Sequence, residues 1–373
     1  MANPEKKKVM LVFGTRPEAV KMCPLVRELK SRAAFDTVVC VTGQHRQMLE
    51  QVLQVFDMVP DYDLDIMKQD QSLFDITVNV LDSLRGVLEA ERPDLVLVHG
   101  DTSTAYAAAL ACFYLKIPVG HVEAGLRTYD LGSPFPEEFN RASISMISRY
   151  HFVPTQAARE NLLREHIPAE QIYVTGNTVI DALKATVTGG FTHPELSWAE
   201  GSRMILVTAH RRENLGQPIR NIFRGIRRVV EAFSDIKVVY PIHLNDQIRQ
   251  IADQELGGCE RIHIIEPLDV VAFHNFESRS YLILTDSGGV QEEAPTFGIP
   301  VLVMRDTTER PEGLLAGTAI LTGTSEESIY SVCSSLLSDD GAYRDMTCCV
   351  NPYGDGNASR RIADVLEFGA VSI

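Results

Sequence analysis

Short apolar runs alternate along the whole chain with longer stretches in which apolar residues recur at helical spacing. The runs at 9–13, 37–41, 95–99, 119–122 and 151–153 read as strands. Each is mostly apolar rather than apolar at every second residue, as in strands buried on both faces of a parallel sheet. Between them, the segments 17–31, 46–55, 72–90, 102–115, 137–148 and 156–166 read as helices. The pattern restarts further on. Strands are predicted at 204–208, 237–240, 262–265, 281–284 and 301–303, with helices near 219–233, 246–255, 269–275, 290–297 and 326–337. Alternating strands and helices predict βα units, parallel sheets and ligands at the carboxyl ends of the strands. The reading gives two α/β domains, residues 1–170 and 171–356. The stretch 187–201, rich in Gly, Thr, Pro and Ser, is read as a loop early in the second domain. A last helix within 357–373 is assigned to the first domain.

At 373 residues, two hydrophobic cores are expected rather than one. Fifty acidic against 35 basic residues leave a net charge of −15. That balance argues against nucleic acid or an anionic membrane surface as partner. An anionic ligand would need positive groups gathered locally. The seven cysteines show no metal-binding or CxxC spacing, which suggests reduced thiols and a cytoplasmic protein. No apolar run reaches membrane-spanning length.

The chemistry gathers at strand ends. After the run 281–284 come Ser287, Gly288 and Gly289, a tight turn opening a helix. Backbone N–H groups unobstructed by side chains suit a diphosphate, and Glu293, one turn on, suits ribose hydroxyls. An ordinary strand-to-helix turn is the plain alternative. Arg16, in the turn after the first strand, suits a phosphate, unless it merely pairs with Glu18. Asp101 follows the strand at 95–99 and would be a simple helix N-cap if it stood alone. It is joined by Glu123, ending the next strand, and by Glu137 at a helix N-terminus. Carboxylates gathered at one sheet edge make general acid–base chemistry plausible, and an ion-pair cluster with Arg127 and Arg141 is the structural alternative. In the second half, His210 and His243 end strands, Arg211 adds positive charge, and Phe273 is placed to pack near a base or in the core.

In combination, GTRPEA, TGQH, GDT, HVEAGLRT, PEE-x-NR, TGN, AHRREN, DSGG-x-QEEA and RDTTERPE run in order over essentially the whole chain. The sequence thereby resembles the bacterial non-hydrolysing UDP-N-acetylglucosamine 2-epimerases. The resemblance implies two Rossmann-like domains facing each other across a cleft, a glycosyltransferase-B-like architecture, with the last helix returning to the first domain. It implies homodimers that interconvert UDP-GlcNAc and UDP-ManNAc without NAD or metal, supplying cell-surface polysaccharide. Carried over residue by residue, Arg16, His210, Ser287, Gly288 and Gly289 match diphosphate contacts, Glu293 the ribose contact and Phe273 the uracil position. Asp101, Glu123, Glu137 and His210 match residues important for catalysis. Gln44, His45, Gln47, Gln71, Arg211 and His243 match the site of a second, activating UDP-GlcNAc, with Glu137 between the two sites.

The mechanism implied is anti elimination of UDP to 2-acetamidoglucal and readdition on the other face. A hydrolysing 2-epimerase that releases ManNAc and UDP is the nearest rival. A retaining glycosyltransferase, a catalytically idle nucleotide-sugar sensor and an epimerase for a diacetamido uronic acid nucleotide are the others.

Overall fold

The computed structural model describes residues 6–43, 46–66, 71–211 and 214–369, with 46–48 described by their backbone alone. The chain divides into two compact units, 1–185 with 353–373, and 186–352.

The first unit holds a seven-stranded sheet of β1 (Lys7–Phe13), β2 (Phe35–Val41), β3 (Tyr62–Asp63), β4 (Leu95–His99), β5 (Val119–Val122), β6 (Tyr150–Val153) and β7 (Ile172–Val174). Its order is β3-β2-β1-β4-β5-β6-β7 and every pairing is parallel. β4 and β5 are buried along their full length, His99 and His121 included, which explains why their other residues are apolar or glycine. The chain winds outward from β1 in one direction and from β4 in the other. A crevice for ligands therefore opens beyond the carboxyl ends of β1 and β4.

The second unit repeats this arrangement with β8 (Arg203–Thr208), β9 (Ile236–Pro241), β10 (Ile262–Ile265), β11 (Leu282–Thr285), β12 (Val301–Val303) and β13 (Ala319–Leu321), in the order β10-β9-β8-β11-β12-β13. Its reversal lies between β8 and β11. The helix Gln217–Ala232 covers one face, burying Ile219, Ile222, Phe223, Ile226, Val229 and Val230 at helical spacing against Val207, Val238 and Tyr240. Among the described residues no helix is long and apolar enough to cross a membrane.

The sequence boundary near 170 falls one strand and one helix early. Ile172 pairs with His151, so β7 extends the first sheet. The helix Thr178–Thr186 follows it, and Asp181 accepts hydrogen bonds from the N–H groups of Ala358 (3.1 Å) and Ser359 (2.8 Å). That carboxylate caps the final helix, Ala358–Phe368, within the first unit. Arg32 adds ion pairs to Asp364 (2.7 Å) and Glu367 (3.0 Å) of the same helix. The stretch read as a loop at 187–201 contains a short helix, Pro194–Ala199, started by a proline in its first turn.

Candidate active site

In the second unit the turns after β8 and β11 meet at the strand reversal. Asp286 is fully buried. Its Oδ2 accepts from the backbone N–H groups of His210 and Arg211, both at 2.8 Å, and Nδ1 of His210 lies 3.2 Å from Oδ1. Burial opposes charge on Asp286, but the His210 side chain and these backbone donors outweigh it and hold its pKa below the ordinary carboxylate value. An acceptor facing Nδ1 favours a proton there and leaves Nε2 of the exposed ring to address a ligand. His243 stacks on His210 with centroids 5.7 Å apart. Its Nδ1 accepts from the Asn245 backbone N–H at 3.2 Å, and Asn245 itself caps the helix that follows. Burial and the neighbouring His210 lower its pKa.

Ser287 is the N-cap residue of the short helix Gly288–Glu293. Its own N–H is spent on the Thr285 hydroxyl (2.9 Å). A Cβ on Gly288 would stand 3.2 Å from Glu309 Oε1 and 3.6 Å from an Arg310 nitrogen. The RDTTERPE segment therefore lies directly against the glycine turn. Glu309 gathers cations there: Arg211 at 3.0 Å, Arg305 at 2.6 Å and Arg310 at 3.8 Å. Burial works against its charge, yet Arg310, Arg305 and Arg211 bring its pKa down to about 2. Arg310 also pairs with the buried Glu292 at 2.6 Å. None of the residues of this motif is among the site residues expected from the sequence. Its cluster of arginines after a strand was the available signal.

On the other side of the turn, a Cβ on Gly289 would lie 3.5 Å from Glu293 Oε1. Glu293 faces the helix Val270–Glu277, which carries Phe273, His274 and Glu277. Phe273 is half-buried against an apolar cluster with Phe276, Val290 and Leu196.

In the first unit, Arg16 opens the helix Arg16–Ser31 and is exposed. The alternative of an Arg16–Glu18 surface pair fails. Glu18 turns inward, 1% exposed, and accepts from the N–H groups of Gly14 (3.0 Å) and Thr15 (2.8 Å) and from the Thr102 hydroxyl (2.7 Å). It closes a capping box and ties the β1 turn to the β4 turn. Burial raises its pKa, and those donors pull against the rise.

The N-cap after β4 is Thr102, whose hydroxyl accepts from Ala105 N–H at 3.0 Å. Asp101 is thus released from capping. Its carboxylate instead accepts from Arg141, and its carbonyl accepts from the Asn140 side chain at 2.9 Å. Glu123, with φ 63°, follows β5. A Cβ on Gly100 would lie 3.5 Å from its Oε1, which brings the GDT turn and the HVEAGLRT carboxylate together. Glu123 Oε2 accepts from Lys21 Nζ and from Asn177 Nδ2 (2.7 Å), and buried His99 lies 3.7 Å away. Burial pushes the His99 pKa down to about 4, so it is a neutral neighbour at pH 7. Lys21, His99 and Asn177 were not read from the sequence as site residues.

The PEE-x-NR segment splits its two carboxylates. Glu137 is half-buried on the first turn of the helix Glu137–Ile147. Glu138 is buried and accepts from the N–H groups of Thr128 (3.0 Å) and Tyr129 (2.9 Å). The expected ion-pair cluster is half present. Arg141 serves Asp101, while Arg127 is bound bidentately by Glu165 at 2.7 and 2.8 Å, away from the three carboxylates. With Arg141 on Asp101 and Lys21 on Glu123, mutual repulsion of the carboxylates is compensated.

Of the remaining residues, Gln71 is half-buried and donates to the Ile66 carbonyl at 2.5 Å. Gln44 and His45 lie outside the described residues, as does the side chain of Gln47. Arg211 is tied by its guanidinium to Glu309 and to the Asp286 carbonyl (3.2 Å).

A family model described as UDP-N-acetylglucosamine 2-epimerase matches residues 27–367. The chain belongs to the UDP-N-acetylglucosamine 2-epimerase family. A relative of that name from Bacillus subtilis (strain 168) is 57% identical over 364 residues, 98% of this chain and 96% of the relative. The crystal structure of a Neisseria meningitidis UDP-GlcNAc 2-epimerase bound to UDP-GlcNAc is similar at 48% identity and TM-score 0.89, covering 96% of this chain and 99% of that one. At 14% identity and TM-score 0.62, the glycotransferase of kitacinnamycin shares the fold alone, over 96% of this chain and 99% of that one. This epimerase-family chain is accordingly an isomerase built from two Rossmann-like α/β domains of glycosyltransferase-B-like architecture.

Proposed function

We propose that the protein interconverts UDP-GlcNAc and UDP-ManNAc by elimination and readdition, without hydrolysis. The observation that carries the reading is the pairing of two kinds of strand-end chemistry in one chain. Cation-compensated carboxylates stand in the first unit, and a glycine turn ringed by arginines and His210 stands in the second. The C2 proton of a 2-acetamido sugar is barely acidic, so its removal needs help from departure of the group at C1. One carboxylate takes the C2 proton, the C–H electrons form the C1–C2 double bond, and the C1–O bond breaks with its electron pair leaving on the β-phosphate. UDP oxygen then re-attacks C1 while a proton returns to the opposite face of C2.

In this reading Arg16, His210, Ser287, Gly288 and Gly289 receive the diphosphate. Arg310 adds charge where negative charge develops. Glu293 takes the ribose and Phe273 the uracil. Asp101, Glu123 and Glu137 supply the base and acid on the two faces of the sugar. A second UDP-GlcNAc as activator is proposed for Gln44, His45, Gln47, Gln71, Arg211 and His243. The reaction balances with no redox step, and the donor sets named are organic acids, bases and cations. Incubation with UDP-GlcNAc followed by phosphorus NMR tests the reading. A second nucleotide-sugar signal, with free UDP only in trace, is expected, whereas UDP accumulating with ManNAc makes the chain a hydrolase.

We place the enzyme in the cytoplasm as a homodimer. Seven free cysteines, with Cys23, Cys40, Cys112 and Cys333 buried, suit a reducing compartment. For the dimer, the first unit exposes Phe74 (84%), Val78 (60%), Phe113 and Tyr114 on the adjacent helices Leu73–Glu91 and Ser103–Tyr114, with Met146 (82%) on the next. Leu81, Ala111 and Leu115 line the groove between Val78 and Tyr114. A second copy of this face is the occupant that buries it. Sedimentation velocity is expected to give a dimer for the native chain and a monomer for the double variant Val78→Glu, Phe113→Glu. A native monomer at micromolar concentration would refute the assignment.

A further inference from the structure

Glu277 is fully buried, and neither carboxyl oxygen meets an N–H or O–H donor. The group nearest to it in chemistry is another carboxylate. Atoms of His274, Glu277 and Glu293 lie within 4.8 Å of one another, with His274 Nε2 3.8 Å from Glu293 Oε2. A fully buried carboxylate beside a second, partly buried one disfavours charge on both at once. Burial foremost, and then the Glu293 charge, raise the Glu277 pKa well above its ordinary value. The proton on Glu277 therefore has a use, since it faces the carboxylate of Glu293. His274 is fixed from behind by the Thr186 hydroxyl, 2.8 Å from Nδ1, and the Asn275 side chain binds the Thr186 carbonyl at 2.8 Å. Glu293 is thus set between the glycine turn at Gly289 and a rigid, buried pair on the helix Val270–Glu277.

We propose that Glu277 is a positioning residue whose buried carboxylic acid donates to the Glu293 carboxylate and, with His274, fixes the oxygens that Glu293 offers to the ribose. The inference rests on the reading that Glu293 takes the ribose hydroxyls. It assigns to Glu277 a role that touches no substrate atom. A carboxylate held in one rotamer presents both hydroxyls of a ribose with preorganised acceptors, and freeing it would cost binding rather than chemistry. Among the described residues, the titratable groups beside Glu277 are Glu293 and, on its own helix, His274.

The test uses the full-length enzyme and calorimetry with UDP, 2′-deoxy-UDP and 3′-deoxy-UDP. Glu277→Gln keeps a donor towards Glu293 and is expected to keep Kd for UDP and KM for UDP-GlcNAc within about threefold of native. Glu277→Leu loses the donor and is expected to weaken UDP by about 10- to 100-fold, the range for a hydrogen bond to a charged group. The same variant should bind the deoxy nucleotides nearly as well as UDP, a loss of discrimination that general damage to the fold would not produce, and kcat should change little. As pH rises through the Glu277 pKa, native affinity for UDP should fall and that of Glu277→Gln should not. Equal UDP affinity and undiminished discrimination in Glu277→Leu would overturn the proposal. If instead Glu293→Gln leaves discrimination between UDP and the deoxy nucleotides unchanged, the ribose reading itself fails. A UDP affinity that requires added Mg²⁺ in the native enzyme but not in Glu277→Gln would replace the shared proton with a metal and also overturn it.

Discussion

Glu123→Gln is expected to slow epimerisation of UDP-GlcNAc by about 10²- to 10⁴-fold, the range for loss of a positioned acid or base. The side chain keeps its size, so the substitution removes charge and basicity without opening a cavity. The loss should fall on kcat, because the diphosphate and nucleoside contacts belong to other residues. Affinity for UDP should stay within about threefold. The Lys21 and Asn177 contacts make the expectation sharper. Asn177 can still donate to the amide oxygen, whereas the Lys21 ammonium loses its anionic partner in a site only 13% open at the Lys21 side chain. Lys21→Met in the native background should lower kcat too, by removing the cation that favours the ionised form of Glu123. A steady-state comparison of kcat and KM, with UDP binding by calorimetry, decides the matter. A Glu123→Gln enzyme with native kcat would reduce Glu123 to a structural carboxylate that merely anchors Lys21.

The second large effect concerns stability. Gly125, in the HVEAGLRT segment, has φ 85°, and a Cβ there would stand 2.4 Å from the carbonyl oxygen of Ala158 and 3.2 Å from Leu162. Neither neighbour is free to retreat. Ala158 and Leu162 are buried on the helix Gln156–Arg164, and Asn161 of that helix donates to the Gly125 carbonyl at 3.0 Å. Gly125→Ala combines a left-handed backbone, about 1–2 kcal/mol, with overpacking of about 1–3 kcal/mol. The first unit should lose about 2–5 kcal/mol, lowering its thermal midpoint by roughly 5–15 °C. Gly86→Ala is the control. Its Cβ meets nothing within 4 Å, and it lies inside the helix Leu73–Glu91, so it should be neutral or stabilising by up to about 1 kcal/mol. Differential scanning calorimetry of the three proteins tests the contrast, and equal midpoints for Gly125→Ala and the native chain would refute the packing argument.

The contrast between Gly125 and the carboxylate two residues before it marks what the sequence makes legible. The long strands are readable because they are buried on both faces and so carry runs of four apolar residues, Leu95 to Val98 in β4 and Met204 to Val207 in β8. Edge strands β3, β7 and β13, of two or three residues and partly exposed, carry too little pattern to register, and missing β7 displaced the domain boundary. The turn residues Arg16, Asp101, Glu123, His210 and Ser287 were legible because strand-end turns are where a parallel sheet presents its chemistry. Their supports were not. Lys21 reads as one more lysine on an amphipathic helix, and only the packing of that helix on the sheet carries it to Glu123. Asp286 reads as the end of a strand, and its burial beneath His210 depends on β8 and β11 being neighbours. The two glutamates of PEE-x-NR are indistinguishable in sequence. Helix geometry turns Glu138 onto the Thr128–Tyr129 backbone, while Glu137 lies only half-buried beside it.

The competing activities differ in the fate of one proton and one leaving group. A hydrolase and an epimerase both break the bond at C1, and a transferase needs an acceptor. A sensor breaks nothing. Only the reversible elimination proposed here exchanges the C2 hydrogen with solvent while retaining the nucleotide on the sugar. The measurement that tests this most directly is proton NMR of the native enzyme with UDP-GlcNAc in D₂O. The account predicts UDP-ManNAc and UDP-GlcNAc both carrying deuterium at C2, with no build-up of ManNAc. UDP-ManNAc that retains the original hydrogen at C2, or free ManNAc with UDP as the main products, would contradict it.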